Sequence, residues 1–196
     1  ENYSHPEMPK DAAQGILKGM YLLSEGNKRG KKPRVQLLGS GTILHEVIAA
    51  AELLKKEFSV DADIWSVTSF NELRREALSV ARWNMLHPEE TARLSYVEKC
   101  LENRTGPVIA ATDYMKIYAD QIREFVSKRY FVLGTDGFGR SDTREKLRQF
   151  FEVDRYYITI AALKSLAEED KIPVKQVAQA IKKFKIDPER PDPVTL

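Results

Sequence analysis

The sequence predicts a three-layer α/β domain, with helices on both faces of a mostly parallel sheet. Three observations carry this. Short apolar runs of strand length recur along the chain, and amphipathic segments of helical period separate them. The clearest unit, "VQLLGSGTILHEVIAAAELLKKEF" followed by "DADIWSV", reads strand, helix, strand, which implies a right-handed parallel crossover.

In chain order, Lys10 to Leu23 reads as a helix with Ala13, Ile16, Leu17 and Met20 at helical spacing. The basic segment "SEGNKRGKKPR" reads as a solvated connector. A phosphate-gripping role would favour interleaved aromatics, which it lacks. Val35–Leu38 is the first strand, Gly39 and Gly41 make the turn, and Ser40 or Thr42 is placed to cap the next helix. Ile43, Val47, Ala50, Ala51, Leu54 and Phe58 share a face of that helix. A second strand follows at Ile64–Val67. "NELRREALSVARWNML" is a helix ending before Pro88, and "PEETARLSYVEKCL" reads as another with Pro88 near its first turn. "GPVIAATD" and "YFVLG" supply strands three and four. Between them "YMKIYADQIREFV" reads as one helix with Met115, Tyr118, Ile122 and Phe125 on a face. "RYYITIAALKSLAEED" is read as a helix capped by Asp154 despite its β-branched start. "PVKQVAQAIKKF" is the last helix, with Val174, Val177, Ala178 and Ile181 as its stripe, and it packs on the same domain. Residues 1–10 and 187–196 are expected to be extended tails of a single domain.

Composition narrows the function classes. The 196 residues hold 31 basic and 29 acidic side chains, a net charge of +2 with no electrostatic footprint for nucleic acid or an anionic membrane. No apolar run approaches the roughly 18 residues needed to span a bilayer. Cys100 is the lone cysteine, which excludes an internal disulfide and suits a cytoplasmic setting. The polar start without an initiator Met reads as a piece of something longer.

Two glycine-rich turns are the candidate binding elements. "GSGT" (Gly39, Ser40, Gly41, Thr42) resembles the start of a dinucleotide fingerprint, but Leu44 stands where the third glycine belongs, so a tight strand-to-helix turn is the preferred reading. "VLGTDGFGRSDTREKLRQFF" carries Gly137, Gly139, Arg140 and Ser141 ahead of a helix. Asp142 with Glu145 reads as a capping box, so an internal carboxylate competes there with any external anion, and Arg140 remains the side chain an anion could use. His5, His45 and His87 are too scattered to name a catalytic pair and read as structural. Trp83, Asn84 and His87 can equally line a cleft or hold a loop, with Asn84 bonding the backbone.

Taken together, "VQLLGSGTILHEV", "SVTSFNELRREA", "RWNMLHPEE", "TDYMKIYADQIREFV" and "VLGTDGFGRSDTREKLRQFFEVD" resemble the C-terminal domain of the homodimeric bacterial pyruvate dehydrogenases, over about Met8 to Asp187 and in family order. The resemblance implies a transketolase-type fold with a mixed, mostly parallel sheet of five strands, one more than the four read above. It implies a multidomain enzyme that decarboxylates pyruvate and reductively acetylates the lipoyl group of an acetyltransferase component. Thiamine diphosphate and Mg²⁺ are then bound by the preceding domains, and this domain packs on them and on a homodimer partner. The family's thiamine signature is matched only by "TDG" at Thr135–Gly137, without its asparagine segment, so no catalytic, cofactor or metal ligand is assigned in this chain.

Overall fold

The computed structural model describes residues 4, 6–27 and 32–196. His5 and most of the basic connector's charges (28–31) lie outside the described residues. Helix α1 (Ala12–Lys18) is followed by strand β1 (Met20–Ser24), then β2 (Arg34–Ser40), α2 (Leu44–Glu57), β3 (Asp61–Val67), α3 (Phe70–Leu86), α4 (Tyr96–Leu101), β4 (Val108–Ala111), α5 (Lys116–Asp120), β5 (Tyr130–Leu133), α6 (Arg144–Phe150), α7 (Arg155–Glu168) and α8 (Val174–Lys183). The sheet has five strands in the order β1-β3-β2-β4-β5. β3, β2, β4 and β5 are parallel, and β1 runs antiparallel along β3 with Met20 opposite Val67.

The central strands are buried on both faces, which explains their unbroken apolar runs. Val35, Leu37 and Ile109 face one core with α2, α7 and α8. Leu38, Trp65 and Val108 face the other with α3, α4 and α5. The expected mixed five-stranded α/β architecture is therefore present.

Five local expectations are corrected. The helix expected over Lys10–Leu23 stops at Lys18, because Gly19 adopts φ +102, a left-handed helix end that costs glycine nothing. "MYLLS" then becomes the fifth strand. The helix expected from Pro88 starts only at Tyr96, where Ser95 and Glu98 form a reciprocal capping box. The preceding loop is held across the end of α3 by Asn84, whose side chain bonds both the N–H and the C=O of Arg93 at 2.8 and 2.9 Å. "YMKIYADQIREFV" is split into α5 and a separate 3-10 turn at Arg123–Phe125, so Ile122 and Phe125 are buried while Met115 and Tyr118 stay exposed. In α8 the buried positions are Val177 and Ala180, with Ile181 and Phe184 packed beside them, so the stripe is rotated away from Val174 and Ala178. The C-terminal tail is not extended throughout: Pro193–Thr195 form a 3-10 turn capped by Asp192. Arg190 also donates to the carbonyls of Gln149 and Phe150 at the end of α6, both at 3.0 Å.

The ambiguous segment at Arg155 is a helix, as expected. Asp154 accepts from the backbone N–H groups of Tyr156 and Tyr157 at 2.9 and 3.0 Å, which outweighs the strand preference of the β-branched residues.

Candidate functional site

The topology singles out one place. From β2 the chain crosses to β3 on one side, and β4 then lies on the other side of β2. The carboxyl ends of β2 and β4 thus flank the point where the strand order reverses, where open α/β sheets form their ligand crevices. A cavity of about 330 Å³ opens there, lined by Thr42, Asp113, Thr135, Gly137, Gly139 and Arg140 among others. Ile43, Leu147, Phe151 and Val153 give it apolar lining, and Arg144 and Arg148 line it too.

The fold thus brings the two glycine-rich turns to one crevice. Thr42 meets Gly137, Gly139 and Arg140 there, whereas Gly39, Ser40, Gly41 and Ser141 stand outside the lining. Gly39 is buried at the end of β2, and Ser141 is exposed. Neither Ser40 nor Thr42 caps α2 as expected. The Thr42 hydroxyl instead donates to Asp113 at 3.1 Å, tying the end of β2 to the end of β4. The Thr135 hydroxyl donates to the Asp113 carbonyl at 3.1 Å. The capping box expected from Asp142 and Glu145 does not form, and the N-cap shifts by one residue. Thr143 is the N-cap of α6 and accepts from Lys146 N–H, while Asp142 accepts from the N–H of Thr143 at 2.7 Å. Arg140 is exposed and lies over the Phe150 ring, 5.1 Å from its centroid.

Asp113 belongs to no binding motif in the sequence and Thr135 only to "TDG"; a polar residue just past a strand end is the signal available for both. A second polar set lies outside the glycine-rich turns, and of Glu46, Arg148, Asp154 and Arg155 only Asp154 is marked in the sequence, as a helix cap. Beside the crevice, a polar hollow of about 470 Å³ is lined by Glu46, Arg148, Asp154 and Arg155. Glu46 is buried and accepts from Arg148 Nη1 at 3.0 Å and from Arg155 N, Nε and Nη2 at 3.0, 2.9 and 3.2 Å. Burial pushes its carboxyl up, but Arg155 and Arg148 together outweigh burial and hold it below the ordinary value. Burial dominates at Asp154, whose pKa is pushed up to about 6 against its two backbone hydrogen bonds, with Glu46 adding repulsion.

This has a sign that can be tested. Because the folded-state pKa of Asp154 is raised, its contribution to stability is complete below about pH 4 and is lost as pH rises through about 6, at most about 3 kcal/mol. Denaturant unfolding between pH 4 and 7 should show that decline, and Asp154→Asn, which keeps an N-capping side chain, should flatten it.

His45 is half-buried on α2, and His87 stacks on Trp83 at 4.2 Å beside the Arg93 guanidinium. Among the described residues, no group of three or more His, Cys, Asp or Glu side chains is placed to hold a metal ion. No helix among them is long and apolar enough to cross a membrane.

Comparison with known proteins bears on this arrangement. The family model for the transketolase-like TK C-terminal domain matches residues 19–154, from the turn before β1 to the cap of α7. The chain belongs to the transketolase-like C-terminal domain family. This transketolase-like domain is 60% identical over its whole length to the Pyruvate dehydrogenase E1 component of Cupriavidus necator, of which it covers 22%. It is 61% identical over 99% of its length to that of Pseudomonas aeruginosa, and 51% identical over 98% to that of Escherichia coli, covering 22% and 21% of those proteins. The chain therefore spans about a fifth of the length of these relatives, and the resemblance read from its motifs is to the same proteins. Among solved structures, a transketolase from Pichia stipitis matches 80% of this domain and 19% of that chain with a TM-score of 0.52 at 16% identity. The transketolase of Leishmania mexicana matches 79% of it and 19% of that chain with a TM-score of 0.51 at 13% identity. At those identities the likeness establishes the fold alone.

Proposed function

We propose that this chain is the C-terminal domain of a longer thiamine diphosphate-dependent pyruvate dehydrogenase. That enzyme decarboxylates pyruvate and reductively acetylates the lipoyl group of an acetyltransferase component in the bacterial cytoplasm. The domain's own part is to support the preceding cofactor-binding domains and the homodimer rather than to supply catalytic groups. The observation that carries this is 60% identity over the whole chain to a protein named for that component, of which the chain covers 22%.

The cofactor's chemistry is a poor fit to the residues present. Mg²⁺ beside a diphosphate calls for free oxygen ligands. At the switch-point crevice the lining offers one carboxylate, Asp113, and among the described residues no group of three or more His, Cys, Asp or Glu side chains is placed to hold a metal ion. No step is therefore assigned to thiamine diphosphate in this chain.

The test uses the full-length protein beside a version ending before Glu1. The full-length protein is expected to be a dimer that acetylates lipoyl groups from pyruvate, and the shortened one to lose dimerisation and activity together. A shortened protein that stays dimeric and fully active would overturn the supporting role.

The crevice favours a second reading, a regulatory ligand site that uses the glycine-rich turns. Its position at the strand reversal, with Arg140 beside it, is the specific support. A thermal-shift series with nucleotides, phosphates and acyl metabolites tests it, and no shift at millimolar ligand rules it out.

A further inference from the structure

One surface does not suit an isolated domain. The loop after β4 and the loop after β5 are joined by three hydrogen bonds: Thr135 N–H to the Tyr114 carbonyl at 3.0 Å, the Thr135 hydroxyl to the Asp113 carbonyl at 3.1 Å, and Lys116 N–H to Asp136 at 2.9 Å. They form one platform, and it presents large apolar side chains outward. Ile117 is 64% exposed and Phe138 81% exposed, with Tyr114, Met115 and Tyr118 exposed as well. Helix α5 buries only Ala119. Beside it lies an open hollow of about 780 Å³, lined by Met115, Ile117 and Tyr118, with Arg74, Asp120 and Arg123 among its polar residues. Arg123 is held by the Tyr130 carbonyl at 2.7 Å and by Asp120.

Clustered exposed aromatics and methionine within a polar border have the composition of an interface core. Contiguous apolar patches on soluble chains mark contact sites. The platform is also braced before any partner arrives, which lowers the ordering cost of binding.

We propose that this platform is the face on which the preceding domains of the full-length polypeptide dock, with Ile117 and Phe138 as its anchors. The occupant follows from the length of chain outside the structure: the relatives carry about four-fifths of their sequence beyond the part matched, since the chain covers 22% of the Cupriavidus necator protein. The inference rests on the reading that the chain is one domain of that longer enzyme.

The test is photo-crosslinking in the full-length protein, with Ile117→p-benzoylphenylalanine and, separately, Phe138→p-benzoylphenylalanine. Both positions are exposed in this domain, so the substitution does not disturb its core. Mass spectrometry of the irradiated protein should show most adducts on peptides upstream of Glu1. Adducts confined to residues 1–196, whether of the same molecule or of a second copy, would overturn the proposal, as would adducts on another protein or none at all. The readout does not depend on turnover. An inactive enzyme with upstream adducts would sink the pyruvate dehydrogenase reading and keep the docking face; an active enzyme without them would sink the face alone.

Discussion

Gly106→Ala should cost about 4 kcal/mol or more, enough to prevent the domain from accumulating in folded form. Gly106 holds φ +83 in the turn that leads into β4, and a Cβ there would stand 1.7 Å from the Arg34 carbonyl oxygen at the start of β2. Two penalties coincide. The left-handed backbone strains any L side chain, and the overlapping atom is backbone within the central parallel pair, so no rotamer change relieves it. Relief requires β2 and β4 to separate at the point where Gln36 N–H bonds the Pro107 carbonyl at 2.9 Å. Urea unfolding of the purified variant, or its recovery only in the insoluble fraction, reads the effect. A loss below about 1 kcal/mol would show that this approach of the two strands is mistaken.

The second large effect is expected at Asp63. Its side chain is fully buried on β3, and its carboxylate gathers four segments. Oδ1 accepts from Gly26 N–H at 2.9 Å and from Arg34, and Oδ2 accepts from Gln36 at 2.8 Å with Arg104 at 3.7 Å. Gln36 in turn donates to the Thr105 carbonyl at 3.1 Å and accepts from the Trp65 indole N–H at 2.9 Å. The network joins the end of β1, the start of β2, the middle of β3 and the loop before β4. Asp63→Ala leaves the Arg34 charge without its counter-ion and leaves the Gln36 amide only the Thr105 carbonyl, and removing one partner of a buried pair costs about 3–5 kcal/mol. Asp63→Ala combined with Arg34→Met should cost clearly less than the sum of the two single changes, because the second substitution removes the stranded charge. Strict additivity in denaturant unfolding would contradict the coupling.

Much of the fold is legible in the sequence, and the exceptions have physical causes. Strands β2, β3 and β4 are found because parallel strands buried on both faces read as largely apolar runs, and the edge strand β5, whose Phe131 is exposed, is found by its run of Tyr, Phe and Val. β1 is missed because "MYLL" continues the apolar spacing of α1, and only the φ of Gly19 reveals the break. α4 and α5 are shorter than their patterns suggest, since a capping box at Ser95 and a tertiary split after Asp120 override helical period. The candidate site is legible as two separate turns, Gly39–Thr42 and Gly137–Ser141, and not as one crevice. Joining them requires the strand order, which no local pattern encodes, so Asp113 could not be paired with Thr42 from sequence alone. The Glu46–Arg155 contact spans 109 positions and lies beyond reach for the same reason. The resemblance carries further than any of these motifs because it rests on five segments in order rather than on one short spacing.

The role proposed for this domain is to support a thiamine enzyme without holding its cofactor. Calorimetric titration of the 196-residue domain with thiamine diphosphate and Mg²⁺ tests it most directly. No binding heat is expected at millimolar cofactor, beside clear binding to the full-length protein under the same conditions. Saturable, Mg²⁺-dependent binding of the cofactor to the domain alone would contradict it.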